Sequence, residues 1–224
     1  SFPTRRSSDL TKEAMSVIIA TGSVPKKAGF DGESQYFGRG VSTCATCDGF
    51  FYRGKEVVVM GGGDTALEEA HYLAKICKKV YLVHRRETFR AAPSSVERVK
   101  HTENIELILN ASVKQVTGDN MGVNTVIVEQ NGELRYLEVP GIFIFVGRDV
   151  NNGSLKADDG NFICEVVESG EIKVDLKMRT SVAGLFAAGD VRSEAARQVV
   201  CAAADGAVAA LEAISYVDHF KGGH

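Results

Sequence analysis

The sequence predicts an α/β protein built on a dinucleotide-binding βαβ unit, and two adjoining stretches carry that prediction. Residues 55–60 (K-E-V-V-V-M) form a continuous β-branched run, as suits a parallel strand buried on both faces. Glycines 61–63 come next, and residues 64–77 then carry strong helix formers with apolar side chains on one side. Residues 80–83 supply a second strand after a short link, which completes the start of a βαβ unit.

The remaining elements are placed in chain order. Residues 17–20 form a short apolar run ended by Thr21-Gly22, expected as a buried strand. Pro25, Gly29, Gly32, Gly38 and Gly40 mark a long connecting region. Beyond Pro93 the sequence is strand-rich, with candidates at 105–109, 112–116 and 123–129. Asn131-Gly132 is a two-residue hairpin signal leading into 134–139, so an antiparallel insertion or meander is expected. Residues 142–146 read as another buried strand. After Asn151-Asn152-Gly153 the character changes, with short strands expected at 172–174 and 185–188 and a final helix over about 198–217.

Composition excludes several classes of function. With 26 basic and 29 acidic residues the net charge is -3, against a general nucleic-acid surface or a polybasic membrane anchor. The most apolar stretch, 141–147, is too short to cross a bilayer, and the alanine-rich run 199–211 is interrupted by Asp205. Neither reads as a transmembrane helix and no secretory signal is visible, so a cytosolic protein is expected. Five cysteines are an odd and sparse set for a secreted disulfide scaffold. Cys77, Cys164 and Cys201 are expected to be small core hydrophobes. Residues 1–10 have no periodicity and no relation to the rest of the chain, and are read as a non-native leader.

Chemistry concentrates at three places. In Gly61-Gly62-Gly63-Asp64-Thr65-Ala66, Gly61 makes the tight turn, Gly63 lets the backbone approach a pyrophosphate, and Ala66 permits close helix-to-strand packing. The free amides and positive end of the adjoining helix favour phosphate, although a plain flexible turn is the competing reading. At the end of the second strand an NAD site would carry an acid. This chain has His84-Arg85-Arg86 and then Arg90, whose guanidinium groups suit a 2′-phosphate, so NADPH is the expected nucleotide over a solvated basic face or a nucleic-acid patch. The third place is Cys44-Ala45-Thr46-Cys47, with Asp48 directly after it. Thiols three positions apart can close a readily reopened disulfide, and Asp48 could move the proton. Zinc would need further ligands that the sequence does not show, while a structural disulfide or two buried thiols remain possible.

Taken in order, A-T-G (20–22), C-A-T-C-D-G (44–49), G-G-G-D-T-A-L-E-E-A (61–70), H-R-R-E-T-F-R-A (84–91), G-L-F-A-A-G-D-V-R (184–192) and R-Q-V (197–199) closely resemble the low-molecular-weight thioredoxin reductases of bacteria. The resemblance runs from about Met15 to the last helix. It implies a Rossmann-like NADPH-binding domain of the three-layer ββα type over 37–150, inserted into an FAD-binding domain of the same type that is only partly present, over 11–36 and 151–224. It also implies that Cys47 lies against the flavin, that Cys44 attacks the disulfide of thioredoxin, and that Asp48 is the acid–base group. Arg85, Arg86 and Arg90, with His84, match the adenosine-phosphate site. Gly61, Gly63, Asp64 and Thr65 match the pyrophosphate turn. Thr21, Gly22, Gly189, Asp190, Arg197, Gln198 and Val199 match the FAD site. The family is homodimeric and rotates its NADPH domain between two states, for which hinges near 37–41 and 147–152 are expected.

Two departures accompany the agreement. The family's first strand and its Gly-x-Gly-x-x-Gly turn for FAD are not in the sequence, a shortfall on the order of a hundred residues, so weak or absent FAD binding is expected of the chain by itself. Residues 147–151 also lack the usual Pro-Asn at the close of the NADPH domain. Competing functions are a related ferredoxin-NADP reductase, disfavoured by the cysteine pair, a peroxiredoxin-reducing subunit, and a non-catalytic NADPH-binding module.

Overall fold

The computed structural model describes residues 13–222, and the leader assigned to 1–10 lies outside them. The chain packs as two units, one from Pro25 to Arg148 and the other formed by the segments on either side.

In the Pro25–Arg148 unit, strands β3 (Val41–Ser42), β4 (Glu56–Gly61), β5 (Lys79–Val83), β6 (Ile105–Ile108) and β10 (Ile142–Phe145) form one sheet. Its order is β3-β10-β4-β5-β6 and every pairing is parallel. The valine run of β4 is continuous because both faces are covered. Val57 and Val59 pack with Leu67 and Leu73 of helix α2 (Asp64–Ala74) and Val99 of α3 (Pro93–Lys100). Val58 faces the other way, toward Val113, Val116, Val126 and Val128. These belong to β7 (Ala111–Asp119) and β8 (Gly122–Gln130), which with β9 (Glu133–Leu137) make an antiparallel meander. Helices, parallel sheet and meander are the three layers of the expected ββα architecture. The hairpin between β8 and β9 turns on Asn131 (φ 53°) and Gly132 (φ 85°), both left-handed as the Asn-Gly pair requires.

Two expectations need correction here. Residues 93–100 are a helix, with Pro93 at its first turn, where the missing N–H costs nothing. That helix carries the chain across, so β6 joins the parallel sheet rather than the meander. The unit also begins earlier than residue 37. Phe30 and Tyr36 are buried in its core, and the Asp31 backbone bonds to Lys114 and Val116 at 3.0 and 2.8 Å, so residues 25–36 pack with the unit. The expected hinge at 37–41 consequently falls inside it: Gly38 N donates to Val41 O at 2.9 Å, and Val41 is buried. The chain crosses between units at β2 (Ser23–Pro25) and β11 (Arg148–Val150), which pair with each other.

The second unit is built on β1 (Val17–Ile19) paired in parallel with β12 (Leu185–Ala187), and on helix α4 (Val199–Gly222). Its core joins Leu155, Ile172, Ala187 and Val191, and a second cluster sets Phe186 against Ala209 and Ala213 of α4. Strand β1 reads from the sequence as buried, yet Val17 and Ile18 are 46% and 39% exposed, and its one ladder partner among the described residues is β12. Residues 172–174 form no strand, since Ile172 makes isolated bridges to Val166 and Arg192. Helix α4 is long and apolar enough to span a membrane by length and composition, with mean hydropathy 1.5. Its Asp205 is buried, however, and clasped by Arg192.

Candidate functional site

The expected site residues fall into three clusters, two in the Pro25–Arg148 unit and one in the other.

The first cluster is the cysteine pair, which is closed as a disulfide with a Cα–Cα distance of 5.3 Å. Cys44 begins the single-turn helix α1 (Ala45–Asp48), and its Sγ accepts from the Cys47 N–H at 3.2 Å. Ala45 is fully buried against the helix-side core, which anchors the turn while Cys47 remains exposed. Asp48 closes the turn, and its Oδ2 accepts from the Ser42 hydroxyl at 2.6 Å. A cleft of about 480 Å³ opens beside Asp48, lined also by Arg39, Tyr52, Lys55 and Met121. Burial, and then the Asp48 charge, push the Tyr52 phenol above its ordinary range. Phe50 and Phe51, next along the chain, are 67% and 72% exposed.

The second cluster is the glycine turn with the loop after β5. A side chain at Gly61 would meet Phe145 O at 2.5 Å and Ala66 Cβ at 2.6 Å, so glycine and alanine are both needed for α2 to sit this close to the sheet. At Gly63, by contrast, an added Cβ would meet nothing, and no side chain caps the α2 N-terminus. Open space over uncapped amides at a helix start fits a pyrophosphate. The turn is tied to the arginine loop, since Arg90 N donates to Gly62 O at 2.8 Å and Ala92 N donates to Asp64 Oδ1 at 2.7 Å. Asp64 thus serves as a clasp between the two loops. Thr65, beside it, is exposed. Arg85, Arg86 and Arg90 are exposed and, among the described residues, none is paired with a carboxylate. Three such guanidiniums beside a phosphate turn fit a 2′-phosphate.

His84 has a different place from its neighbours. It is 7% exposed, stacks on Phe89 with centroids 5.1 Å apart, and puts Nε2 at 3.1 Å from Thr88 O. Burial holds its imidazole below the usual histidine range, and Arg85, Arg86 and Arg90 act in the same direction. Its ring lies 2.0 to 2.6 Å from where a Gly62 Cβ would be. The middle glycine is therefore needed by the imidazole, and His84 supports the arginine loop from beneath. Gly62→Ala should destabilise the chain by about 2–3 kcal/mol, the cost of overpacking against a buried ring, in a urea-unfolding experiment. An unchanged midpoint would show that the ring can move aside.

The third cluster lines a cleft of about 340 Å³, bounded by Gly22, Gly189, Asp190, Arg197, Gln198 and Val199. That volume has room for part of a dinucleotide such as FAD. Gly189 (φ 75°) turns left-handed two residues after the end of β12, and Arg197 (φ 55°) does so before α4, a costly conformation for a non-glycine residue. Thr21 does not line the cleft: its Oγ1 donates to Asn151 O at the foot of β11. Sequence reasoning missed the residue that holds this cluster together. Asp205 Oδ2 accepts from Gly189 N at 3.1 Å and from Arg192 Nε at 2.6 Å, while Oδ1 accepts from Arg192 Nη2 at 3.0 Å. Its only sequence signal was an acid inside an alanine-rich helix.

Of the remaining cysteines, Cys77 and Cys164 are buried, as expected, and burial raises both thiols, Cys77 to about 11. Cys201 is only half-buried, because the first turns of α4 are open. No group of metal ligands occurs among the described residues.

Comparison with known proteins agrees with this geometry. The family model for pyridine nucleotide-disulphide oxidoreductases matches residues 3–206. The thioredoxin reductase of Helicobacter pylori strain J99 is 58% identical over 211 residues, covering 93% of this chain and 68% of that protein. Among solved structures, a thioredoxin reductase from Streptococcus pyogenes superposes with a TM-score of 0.86 at 38% identity, over 95% of this chain and 68% of that one. One from Giardia duodenalis gives 0.85 at 40% identity, over 91% and 66%. The chain thus spans about two thirds of the length of the relatives it matches. It belongs to the pyridine nucleotide-disulphide oxidoreductases and, among them, to the thioredoxin reductases.

Proposed function

We propose that the protein works as an NADPH-dependent thioredoxin-disulfide reductase, with FAD as the intermediate carrier. The observation that carries this reading is the closed Cys44–Cys47 disulfide with Asp48 at the end of its turn, in the same unit as the glycine turn and the unpaired arginines. The family's cofactors are FAD and NADPH. When bound, NADPH supplies a hydride and FAD passes its two electrons to the disulfide.

The chain's own residues do the rest. Gly63 and the start of α2 hold the pyrophosphate, and Arg85, Arg86 and Arg90 hold the 2′-phosphate. Gly189, Asp190, Arg197, Gln198 and Val199 form this chain's share of the flavin site. As two electrons enter the Cys44–Cys47 bond it opens, and the sulfurs take up two protons in all, one of them by way of Asp48. In the roles the family resemblance gives them, Cys44 as thiolate attacks one sulfur of the thioredoxin disulfide to form a mixed disulfide. Cys47 then closes back on Cys44, and thioredoxin leaves as the dithiol. The exposed Phe50 and Phe51 and the cleft beside Asp48 offer an apolar-rimmed surface for that partner. A cytosolic homodimer, in which α4 is not a membrane span, belongs to the same reading.

The test is NADPH-dependent reduction of a thioredoxin disulfide by the FAD-loaded product of the complete gene. Reduction at saturating NADPH, and little with NADH, is expected. Full flavin reduction with no transfer to any thioredoxin would overturn the proposal.

A further inference from the structure

Ser42 lies two residues before the cysteine pair and was not singled out by the sequence. It is 4% exposed and sits on β3, paired in register with Phe143 of β10. A serine hydroxyl carries one proton and two lone pairs, so its bonds can be apportioned. Three partners lie within reach: Asp48 Oδ2 at 2.6 Å, Cys44 N at 3.1 Å and Cys44 O at 3.3 Å. The Cys44 N–H can only donate. The single hydroxyl proton then goes to the carboxylate, because a bond to a charged acceptor at 2.6 Å outweighs one to a neutral carbonyl at 3.3 Å.

We propose that Ser42 is a positioning residue for the redox pair: one buried hydroxyl fastens the Asp48 carboxylate and the Cys44 backbone to the edge of the sheet. The bond consumes Oδ2 and leaves Oδ1 as the oxygen that gives and receives the proton. It also spares the turn from rearranging when the disulfide opens, since the Cys47 N–H to Cys44 Sγ contact changes with the sulfur while the Ser42 contacts do not involve it. Helix α1 is a single turn, too short to hold an acid in place by its own backbone bonds.

The inference rests on the reductase reading for its purpose, but its test needs neither flavin, nucleotide nor thioredoxin. In the chain labelled with ¹³C and ¹⁵N, the Asp48 carboxyl resonance, identified by its loss in Asp48→Asn, is compared at one fixed pH in wild type, Ser42→Ala and Ser42→Thr, together with solvent exchange of the Cys44 amide. Loss of a hydrogen bond worth about 1 kcal/mol raises exchange about fivefold. Ser42→Ala should therefore displace the Asp48 resonance, speed Cys44 exchange by about that factor and slow opening of the Cys44–Cys47 disulfide by dithiothreitol. Ser42→Thr, which keeps the hydroxyl, should restore all three. A merely structural serine would change the melting temperature and leave the resonance and the opening rate in place, which would overturn the proposal. If Ser42→Ala does not fold, Ser42→Val, of threonine's shape but without a hydroxyl, is read in the same way. Failure here would leave the reductase reading standing, whereas these changes in a protein that never reduces thioredoxin would sink that reading and keep this one.

Discussion

In the FAD-loaded product of the complete gene, Cys44→Ser stops NADPH-dependent reduction of thioredoxin while NADPH still bleaches the flavin. The expected loss is roughly 10³-fold or more, as for removal of an essential nucleophile. Flavin bleaching is monitored anaerobically in a stopped-flow spectrometer, and thioredoxin reduction by the appearance of its thiols. The two readouts separate the competing meanings of the pair. If the disulfide were structural, Cys44→Ser would lower stability and leave turnover of the folded fraction intact. The disulfide closes a loop of only four residues between Cα atoms 5.3 Å apart, so its entropic contribution is small and a large stability loss is not expected. Retained thioredoxin reduction in Cys44→Ser would remove Cys44 from the mechanism.

A comparable effect is expected at the nucleotide site. Replacing Arg85 and Arg86 together by alanine should weaken NADPH binding about 100-fold or more, since each guanidinium-to-phosphate bond is worth about 1.5–3 kcal/mol. NADH binding should hardly change, because that nucleotide has no 2′-phosphate. Isothermal titration of the chain with both nucleotides checks this directly, and the NADPH affinity of the wild type should fall steeply with added salt. An equal loss for both nucleotides would mean that the two arginines build the loop rather than read the phosphate. Asp64 and Arg90 bear on the same experiment too, since Ala92 N donates to the Asp64 carboxylate and Arg90 N to Gly62 O, and both bonds hold the loop to the glycine turn when Arg85 and Arg86 are replaced.

How much of this was legible in the sequence depended on whether the cause was local. The β4 valines, the glycine turn and the Asn131-Gly132 hairpin announce themselves because burial on two faces, close backbone approach and positive φ each demand a particular residue. Helix α3 was missed because Pro93 reads as a breaker unless it is known to stand at a helix start, and Ser94-Ser95 adds little helix propensity. The exposure of β1 could not be read from Val17 and Ile18, because what covers a strand is not written in the strand. At the sites, the residues that meet ligands carried motif signals. Those that hold them, Ser42, Asp205 and Asp64 in its clasping role, act through partners 6, 13 and 28 residues away and leave no local pattern.

The imidazole beneath Gly62 has a consequence for anyone who would redesign the cofactor preference of this enzyme. The obvious route is to transplant the acid-bearing segment of an NAD-dependent protein over residues 84–86. Such a graft would delete the ring along with the charges, opening a void under a glycine that has no side chain to fill it. Positions 62 and 84 therefore behave as a single volume shared between two loops. A successful exchange of nucleotide would keep His84, or trade it for a residue of equal bulk together with a matched change at position 62, and confine the change of charge to Arg85, Arg86 and Arg90.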